Sequence, residues 1–300
     1  MSHGFSADGG ASWTWDEIKV LGSRLTSGFC AQITIGQAIT TGPIYIAQYL
    51  TSGNSFNFVE CNDAALSGSP PLWTYSYLHL DATTDLEIDL VDVPGKPDVP
   101  GPSRVSRSPF LVADPTDANR MFLVYQDRRP NSDAPLMDVD IFCRVLTRSG
   151  AFWSAGAPVR VNDDNVSIYP VGETDWDQWQ PAAAVDSSGR LHIVYYDYRE
   201  IVQSDDMILY AKFNVYYAVS VDAGATFTNI KLSTIPETPR LDFDPNMTSN
   251  NGGQSKYSPG EYPSIACNGN NTWIAYAGTS PDDLQHPDRS VIFVSKVKFR

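Results

Sequence analysis

An all-β fold is what this 300-residue sequence predicts, and two observations lead to it. The chain contains 21 Gly, 21 Pro, 7 Trp, 15 Tyr and 13 Phe, a composition typical of many short strands joined by tight turns. A hairpin pattern also occurs three times, while long Ala/Leu/Glu/Lys-rich stretches of helical period are missing. The hydrophobic share of 42% is enough for a packed core.

Each copy of the hairpin combines a short apolar strand, a turn rich in Asp, Asn or Gly, and a second strand rich in β-branched and aromatic residues. The first strands end at Asp114, Asp186 and Asn268. The copies occupy residues 109–128, 181–199 and 263–276. Three hairpins of one pattern predict a repeated antiparallel unit.

A second motif follows the middle hairpin, after a predicted third strand. Residues 220–227 fit the pattern Ser-x-Asp-x-Gly-x-Thr-aromatic, and residues 6–13 fit it again with Ser in place of Thr. The pattern suits a turn, because Asp accepts hydrogen bonds from the backbone that follows it and Gly permits a positive φ. Both segments resemble the Asp-box, or BNR repeat, of sialidase-like proteins. The resemblance implies a β-propeller of four-stranded antiparallel blades, with the box as the turn between the third and fourth strands.

On this interpretation residues 1–300 form one propeller domain with about four blades; five or six blades, or a fragment of a larger propeller, stay open. The expected units are an irregular blade at 21–103, blades at 104–165 and 176–235, and a closing blade of residues 260–300 with 1–20. The chain ends on a third strand with no box after it and begins on a box with no third strand before it. We therefore expect residues 6–20 to pair with residues 290–298 and close the ring.

Charge and hydropathy narrow the range of partners. The formal net charge is −14 and the pI about 4.5, which disfavours nucleic acid and anionic membranes. No apolar run approaches the ~20 residues of a membrane span, and the N-terminus carries no signal peptide pattern. We expect the protein at the cell surface or outside the cell, with a homo-oligomer left open. The four cysteines are expected to be free thiols.

Strand direction sorts the loops of a four-stranded blade onto two faces. The start of strand 1, the end of strand 2 and the 2→3 and 4→1 loops share one face, here called the loop face; the Asp-box turns lie on the opposite face, here called the turn face. Function usually lies on such loops. The predicted substrate-binding residues of the loop face are Arg107, Arg128, Arg199, Trp176 and Trp179, and the predicted catalytic residues are Tyr262, Glu200 and Asp127.

The resemblance implies the roles of these residues. Sialidases clamp a carboxylate with three arginines, use a Tyr/Glu pair as the nucleophile and an Asp as the acid/base. Tyr262 lies at the start of a first strand, as that nucleophile does, and Arg107 lies where a clamp arginine would. The Arg-Ile-Pro motif of sialidase domains is absent, and a third clamp arginine cannot be assigned.

Structural roles compete with these assignments. Asp127 with Arg128, and Asp197 with Arg199, recur at one blade position and fit repeated ion pairs that hold blades together. The two tryptophans could stack on sugar rings or cap the blade core. Asp163 and Asp164 are expected in a solvated loop; no metal ligand set or cofactor is assigned, with a bound calcium ion left open. His192 is expected to be a buried sheet residue.

The sequence is compatible with three functions. Glycan recognition by the loop face of a sialidase-like propeller is the leading one. The alternatives are a glycoside hydrolase of sialidase-like type and a propeller that serves assembly, with no small-molecule site.

Overall fold

The computed structural model is all-β, as the sequence predicts. It describes residues 2–5, 11–12, 14–17, 19–20, 23–24, 29–35, 44–50, 55–61, 73–77, 109–128, 139–150, 152–164, 178–197, 199, 214–233, 240–241, 257–258, 263–279 and 290–299. Within these ranges the chain forms 22 strands and no helix. The strands are β1 (Ser2–Phe5), β2 (Thr14–Glu17), β3 (Lys19–Val20), β4 (Ser23–Arg24), β5 (Phe29–Ile35), β6 (Ile44–Leu50), β7 (Ser55–Cys61), β8 (Trp73–Tyr77), β9 (Phe110–Ala113), β10 (Arg120–Arg128), β11 (Val139–Ser149), β12 (Phe152–Ala155), β13 (Val159–Arg160), β14 (Gln178–Val185), β15 (Leu191–Asp197), β16 (Asn214–Ser220), β17 (Thr228–Lys231), β18 (Arg240–Leu241), β19 (Tyr257–Ser258), β20 (Ser264–Asn268), β21 (Asn271–Thr279) and β22 (Ser290–Lys298).

Two of the sheets are complete four-stranded antiparallel meanders. One runs in the order β9-β10-β11-β12, and the short strand β13 also pairs with β11, at Phe142 and Cys143. The other runs in the order β14-β15-β16-β17. The three predicted hairpins are β9–β10, β14–β15 and β20–β21. The middle hairpin starts earlier than predicted, at Gln178 and not at Pro181, because a bulge between Trp179 and Ala182 extends the pairing toward the loop face.

The sheet near the N-terminus and the one near the C-terminus are less regular. Strands β5 to β8 form a meander that is extended by β3 and β4, with β3 parallel to β8. Strands β20, β21 and β22 form a three-stranded sheet. Among the described strands, β2 pairs with β1 and β22 pairs only with β21, so the closure of the ring by residues 6–20 remains a prediction.

Consecutive sheets pack face to face through alternating side chains. On β10, Met121, Leu123 and Tyr125 point to the core shared with the β5–β8 sheet, and Phe122 and Val124 point to the core shared with the β14–β17 sheet. This is the period of two expected for a strand buried on both faces. On β15, likewise, Leu191, Ile193 and Tyr195 lie in the core with the preceding sheet, and Val194 and Tyr196 in the core with the β20–β22 sheet.

The last sheet has only one covered face. Ile274 and Tyr276 of β21 are buried against the β14–β17 sheet, whereas Trp273 on the other face is 36% exposed. Beside it on β22, Ile292 and Val294 are 69% and 67% exposed. The outer face of this sheet is therefore exposed and mixes apolar side chains with lysines, of which Lys296 lies with Nζ 5.2 Å from the centroid of the Trp273 ring.

The turn at residues 220–227 has the hydrogen bonds that its pattern predicts, and it joins the third and fourth strands of its sheet. The carboxylate of Asp222 accepts from the Ser220 hydroxyl at 2.7 Å and from the Thr226 backbone N–H at 2.9 Å. These hydrogen bonds, with that from the Thr226 hydroxyl foremost, lower the pKa of Asp222 to about 2. Gly224, at φ 84°, packs against Phe122 of the preceding sheet, so the turn also contributes to sheet packing. The second copy of the pattern, residues 6–13, lies almost wholly outside the described residues.

The thiols of Cys143 and Cys267 are free, as predicted. Burial raises the pKa of Cys143 to about 12, so that thiol is inert. The side chains of Cys30 and Cys61 fall outside the described set. Within the part of the chain that is described, no helix is long and apolar enough to cross a membrane.

Candidate functional site

Most of the predicted site residues cannot be placed by their side chains. Arg107, Trp176, Glu200 and Tyr262 lie outside the described residues. Asp127 and Arg128 end strand β10 at the loop face, where their backbones pair with Asp140 and Val139. The roles of these six residues therefore stay predictions. Arg199 and Trp179 are described in full.

Arg199 forms an ion-pair network at the loop face. Its Nε donates to Asp197 Oδ2 at 2.8 Å and its backbone N–H to Asp197 Oδ1 at 2.7 Å. Its terminal nitrogens contact Asp163 and the Tyr195 hydroxyl, and its guanidinium carbon lies 4.1 Å from the centroid of the Tyr216 ring. Asp163 belongs to the connection from the preceding sheet, so the arginine links two consecutive sheets. This geometry matches the ion-pair interpretation of Arg199.

Trp179 is part of the core. Its side chain lies on β14 and is 3% exposed, and its ring centroid is 5.7 Å from that of Tyr196. A buried indole has no open face on which a sugar could stack. Of the two roles weighed for this tryptophan, the structure corresponds to the core-capping one.

A second polar cluster surrounds Asn162, next to the Arg199 network. The Asn162 amide donates to Asp140 Oδ1 at 2.6 Å, to Gln178 Oε1 at 2.7 Å and to the carboxylate of Asp164. Its carbonyl oxygen accepts the backbone N–H of Ile141 at 2.9 Å. Asn162 thus links the start of β11 in one sheet to the first strand of the next sheet.

Arg160 completes this cluster and corrects the expectation for Asp164. The guanidinium of Arg160 lies 2.7 Å from Asp164 Oδ1 and 3.3 Å from Asp140 Oδ1. Asp164 is 7% exposed, so the predicted solvated loop is wrong at this residue, because the arginine and Asn162 satisfy its carboxylate in the interior; Asp163 is exposed as expected. Among the described residues no group of three or more His, Cys, Asp or Glu is arranged to hold a metal ion.

The start of β14 carries backbone strain beside these clusters. Gln180 lies in the bulge with φ 48°, in the left-handed region that a non-glycine residue seldom adopts. Its backbone N–H donates to Gln126 Oε1 of the preceding sheet at 2.7 Å. Gln126 is 1% exposed, and its Nε2 has no hydrogen-bond acceptor among the described residues. Strained backbone, a bulge and a buried unsatisfied donor therefore occur together at the start of β14, and such features often cluster at functional sites.

Burial also changes the ionisation of this region. It raises the pKa of Asp197 to about 6, an effect that the guanidinium of Arg199 opposes. Burial likewise raises the pKa of the Tyr195 hydroxyl, which donates to Asn229 Oδ1 at 2.6 Å. Carboxylates, amides and a neutral phenol therefore lie together where the two sheets meet on the loop face.

The turn face carries a separate buried group around His192, which is a buried sheet residue as predicted. His192 Nδ1 lies 2.6 Å from the Tyr217 hydroxyl, and Nε2 lies 3.3 Å from Asp186 Oδ2. Asp186 is also held by Arg190, whose Nε donates to Oδ2 at 2.6 Å. Burial is the main cause of the lowered pKa of His192, which keeps the imidazole neutral.

Gln126, Gln178, Gln180 and the Asp140–Asn162 pair were not predicted from the sequence. A glutamine near the end of β10 and two at the start of β14 form no recognised motif, and the contact between Asp140 and Asn162 spans 21 intervening residues. The only local signal is the polar pair Gln178 and Gln180 inside an otherwise apolar first strand.

No protein-family model matches the chain, and no curated protein does either. Solved structures are similar to it over most of its length. The GH93 α-L-arabinofuranosidase of Fusarium graminearum in complex with arabinobiose is 15% identical with a TM-score of 0.48, over 98% of this chain and 83% of that one. The endo-arabinase of Bacteroides thetaiotaomicron is 10% identical with a TM-score of 0.42, over 90% and 75%. The Cellvibrio cellulosa α-L-arabinanase complexed with arabinohexaose is 12% identical with a TM-score of 0.40, over 91% and 71%. These proteins are glycoside hydrolases.

Proposed function

We propose that this chain is an Asp-box-type β-propeller that binds carbohydrate on its loop face. Support for the fold comes from the two four-stranded meanders, the face-to-face packing of successive sheets and the hydrogen-bonded turn at residues 220–227. A location outside the cell is the expectation that accompanies glycan binding.

The strained start of β14 is the observation that carries the binding proposal. A positive φ at Gln180 costs free energy, on the order of 1–3 kcal/mol, and the unsatisfied amide of Gln126 adds a further penalty. Surrounding structure maintains such costs where they place groups for a ligand. Gln126 is 1% exposed, so a ligand acceptor reaches Nε2 only if the bulge at Gln180 moves on binding, and the new hydrogen bond would then remove part of this penalty.

The chemistry of the neighbouring groups suits sugar hydroxyls. A hydroxyl both donates and accepts, so it is matched by a site that offers both functions. Gln126 offers a donor, whereas Asp140, Asp164 and Asp197 offer acceptors that are already held in place by other hydrogen bonds. A small-molecule site gains its specificity from a small number of polar groups whose positions are fixed by packing.

A glycan array with the purified protein tests the proposal, followed by titration of the best ligand with the Gln126→Met variant. Loss of the amide should weaken binding by about tenfold, the effect of one buried hydrogen bond. Thr272→Val is the matched control, because it removes a buried hydroxyl (1% exposed) near the turn face. Its affinity should equal that of the parent. An array on which no glycan binds would refute the proposal.

Glycoside hydrolysis is the second candidate, and the raised pKa of Asp197 favours it. A carboxyl group with a pKa of about 6 is suited to proton transfer near neutral pH. Hydrolysis also needs a nucleophile, and Tyr262 keeps that predicted role, with Glu200 and Asp127 as its acidic partners. Turnover of a fluorogenic glycoside that is lost in Tyr262→Phe would establish the hydrolase; binding without turnover would leave recognition alone.

A further inference from the structure

The hairpin turn between β20 and β21 carries the acceptor motif for N-linked glycosylation. Asn270, Asn271 and Thr272 fit the pattern Asn-x-Ser/Thr, in which x is any residue except proline. Asn270 is one of the two residues in the loop of this hairpin. Two further copies of the pattern, at residues 165–167 and 246–248, lie outside the described residues. The position and contacts of Asn270 therefore determine whether the described copy can carry a sugar.

The turn exposes Asn270 to solvent in a fixed position. Its backbone carbonyl accepts the N–H of Phe299 at 3.1 Å, and its side-chain Oδ1 accepts Nη2 of Arg190 at 3.1 Å. The preceding Gly269 has a φ of 57°, and no described residue beyond its chain neighbours lies within 4 Å of the place that a Cβ would occupy. An anchored turn with open space beside it can carry a bulky group without a clash.

The side-chain amide of Asn270 meets the protein through its oxygen and not through its nitrogen. Oδ1 binds Arg190, whereas Nδ2 has no hydrogen-bond acceptor among the described residues. The guanidinium of Arg190 is itself fixed by Asp186 Oδ2, 2.6 Å from Nε, and by the ring of Phe299. An N-linked glycan is attached through Nδ2 and leaves Oδ1 as a carbonyl oxygen. The hydrogen bond to Arg190 therefore persists after modification.

The hydroxyl of Thr272, the third residue of the motif, is buried in the folded protein. Thr272 is 1% exposed, and its Oγ1 lies 3.4 Å from His192 Nδ1 on β15 and 3.4 Å from Cys267 Sγ. An enzyme that recognises the motif cannot reach this hydroxyl once β21 has packed against the β14–β17 sheet. A sugar on Asn270 must therefore be attached before this packing is complete.

From the exposed amide, the open space beside it and the buried threonine, we propose that Asn270 is an N-glycosylation site that is modified before the chain folds. The donor is an oligosaccharide carried on a lipid diphosphate. The bond from the anomeric carbon to the diphosphate oxygen breaks, a bond from that carbon to Nδ2 forms, Nδ2 releases one proton, and the lipid diphosphate leaves. The inference rests on the location outside the cell that accompanies the proposed function, because this donor is used in the secretory pathway.

The glycan would project from the turn face, far from the proposed carbohydrate site. Strand β21 begins at this turn and runs toward the loop face over nine residues, a length of about 30 Å. A bulky, solubilising group at Asn270 therefore covers the turn face and leaves the loop face open. Enzymatic removal of the glycan should leave the affinity of the loop face for its ligand unchanged.

Secretion of the full chain from a yeast host, behind a cleavable leader, tests the site. An N-glycosidase converts a glycosylated Asn into Asp, so peptide mass spectrometry measures occupancy at Asn270 separately from Asn165 and Asn246. We expect most secreted copies to carry a glycan at Asn270. Asn270→Gln and Thr272→Val should each abolish it. Thr272→Ser is the matched control, because it keeps the hydroxyl of the motif and should keep the glycan.

The timing of the modification is tested on the full chain made in bacteria and folded without a glycan. Purified oligosaccharyltransferase and its lipid-linked donor should leave Asn270 of the folded chain unmodified, while a free Asn-x-Thr peptide in the same reaction is modified. Modification of the folded chain as fast as the peptide would contradict modification before folding.

These measurements are independent of any ligand of the loop face. An unoccupied Asn270 in the secreted chain overturns the inference and leaves carbohydrate binding in place. Occupancy of Asn270 that persists in Thr272→Val also overturns it, since the motif would then not direct the modification. A glycan array on which nothing binds refutes the proposed function and leaves the site at Asn270 standing.

Discussion

The two ends of the β14–β17 sheet are stabilised in different ways. At the turn face, Asp222 takes its hydrogen bonds from residues no more than four positions away. At the loop face, Arg199 binds Asp163 across 36 positions of the sequence, and Asn162 binds Asp140 across 22. The turn is a local structure that folds from its own residues, whereas the loop-face clusters exist only once two sheets have come together. Contacts between neighbouring residues therefore stabilise the turn, and contacts between residues distant in the sequence form the loop-face clusters.

Among the variants that test this difference, the one without Asp197 should lose the most stability. Asp197→Ala leaves the guanidinium of Arg199, 12% exposed, without its main counter-charge, and should reduce the free energy of unfolding by about 3–5 kcal/mol. Asp163→Ala removes an exposed partner of the same arginine and should cost about 1 kcal/mol or less. Urea unfolding of both variants measures the difference. Equal losses would show that the burial of Asp197 adds nothing to its pairing.

The second largest effect is expected in the pH dependence of stability, through His192 at the turn face. Because its pKa in the folded protein lies below the ordinary 6.5, the unfolded chain binds the proton first, and stability falls as the pH decreases below about 6.5. One proton gives a slope of at most about 1.4 kcal/mol per pH unit. His192→Gln keeps a polar group next to Tyr217 and removes the titration. Thermal unfolding between pH 7 and 5 should be flatter for the variant; parallel curves would contradict the assignment.

The smallest effect is expected at Asp222. Its folded pKa of about 2 lies below the ordinary 3.8, so its stabilising hydrogen bonds are intact above pH 4 and are lost as the pH falls toward 2. Asp222→Asn keeps an oxygen acceptor without the charge. In acid titrations followed by circular dichroism, the variant should lose less of its stability than the parent between pH 4 and 2. A variant that follows the parent throughout this range would show that the turn does not depend on the ionised carboxylate.

The contrast between local and long-range order also determines what could be predicted from the sequence. The hairpins and the turn at residues 220–227 follow from short patterns, since the residues that bind each other are neighbours in the chain. His192 could be assigned to a sheet because the strand pattern around it is regular.

The positions of the loop-face side chains were less predictable, because their contacts join residues that are distant in the sequence. Trp179 precedes Pro181, where the sequence pattern predicts the hairpin to begin, but the bulge carries the strand back through Gln180 to Gln178 and buries the indole. Asp164 has the composition of a surface loop, and only the arrival of Arg160 and Asn162 buries it. Contacts between sheets decide such cases, and no local pattern encodes them.

The alternation of side chains on the second strands has a consequence for cooperativity. Leu123 and Phe122 are adjacent on β10 but lie in different cores, as do Ile193 and Val194 on β15. A central sheet cannot separate without opening two cores at once, so the two meanders should unfold as one unit. The β20–β22 sheet shares only one core and leaves Trp273 partly exposed, so its opening disrupts half as much packing. Amide hydrogens of β21 should therefore exchange with solvent sooner than those of β10 and β15, and unfolding should begin at this end of the chain.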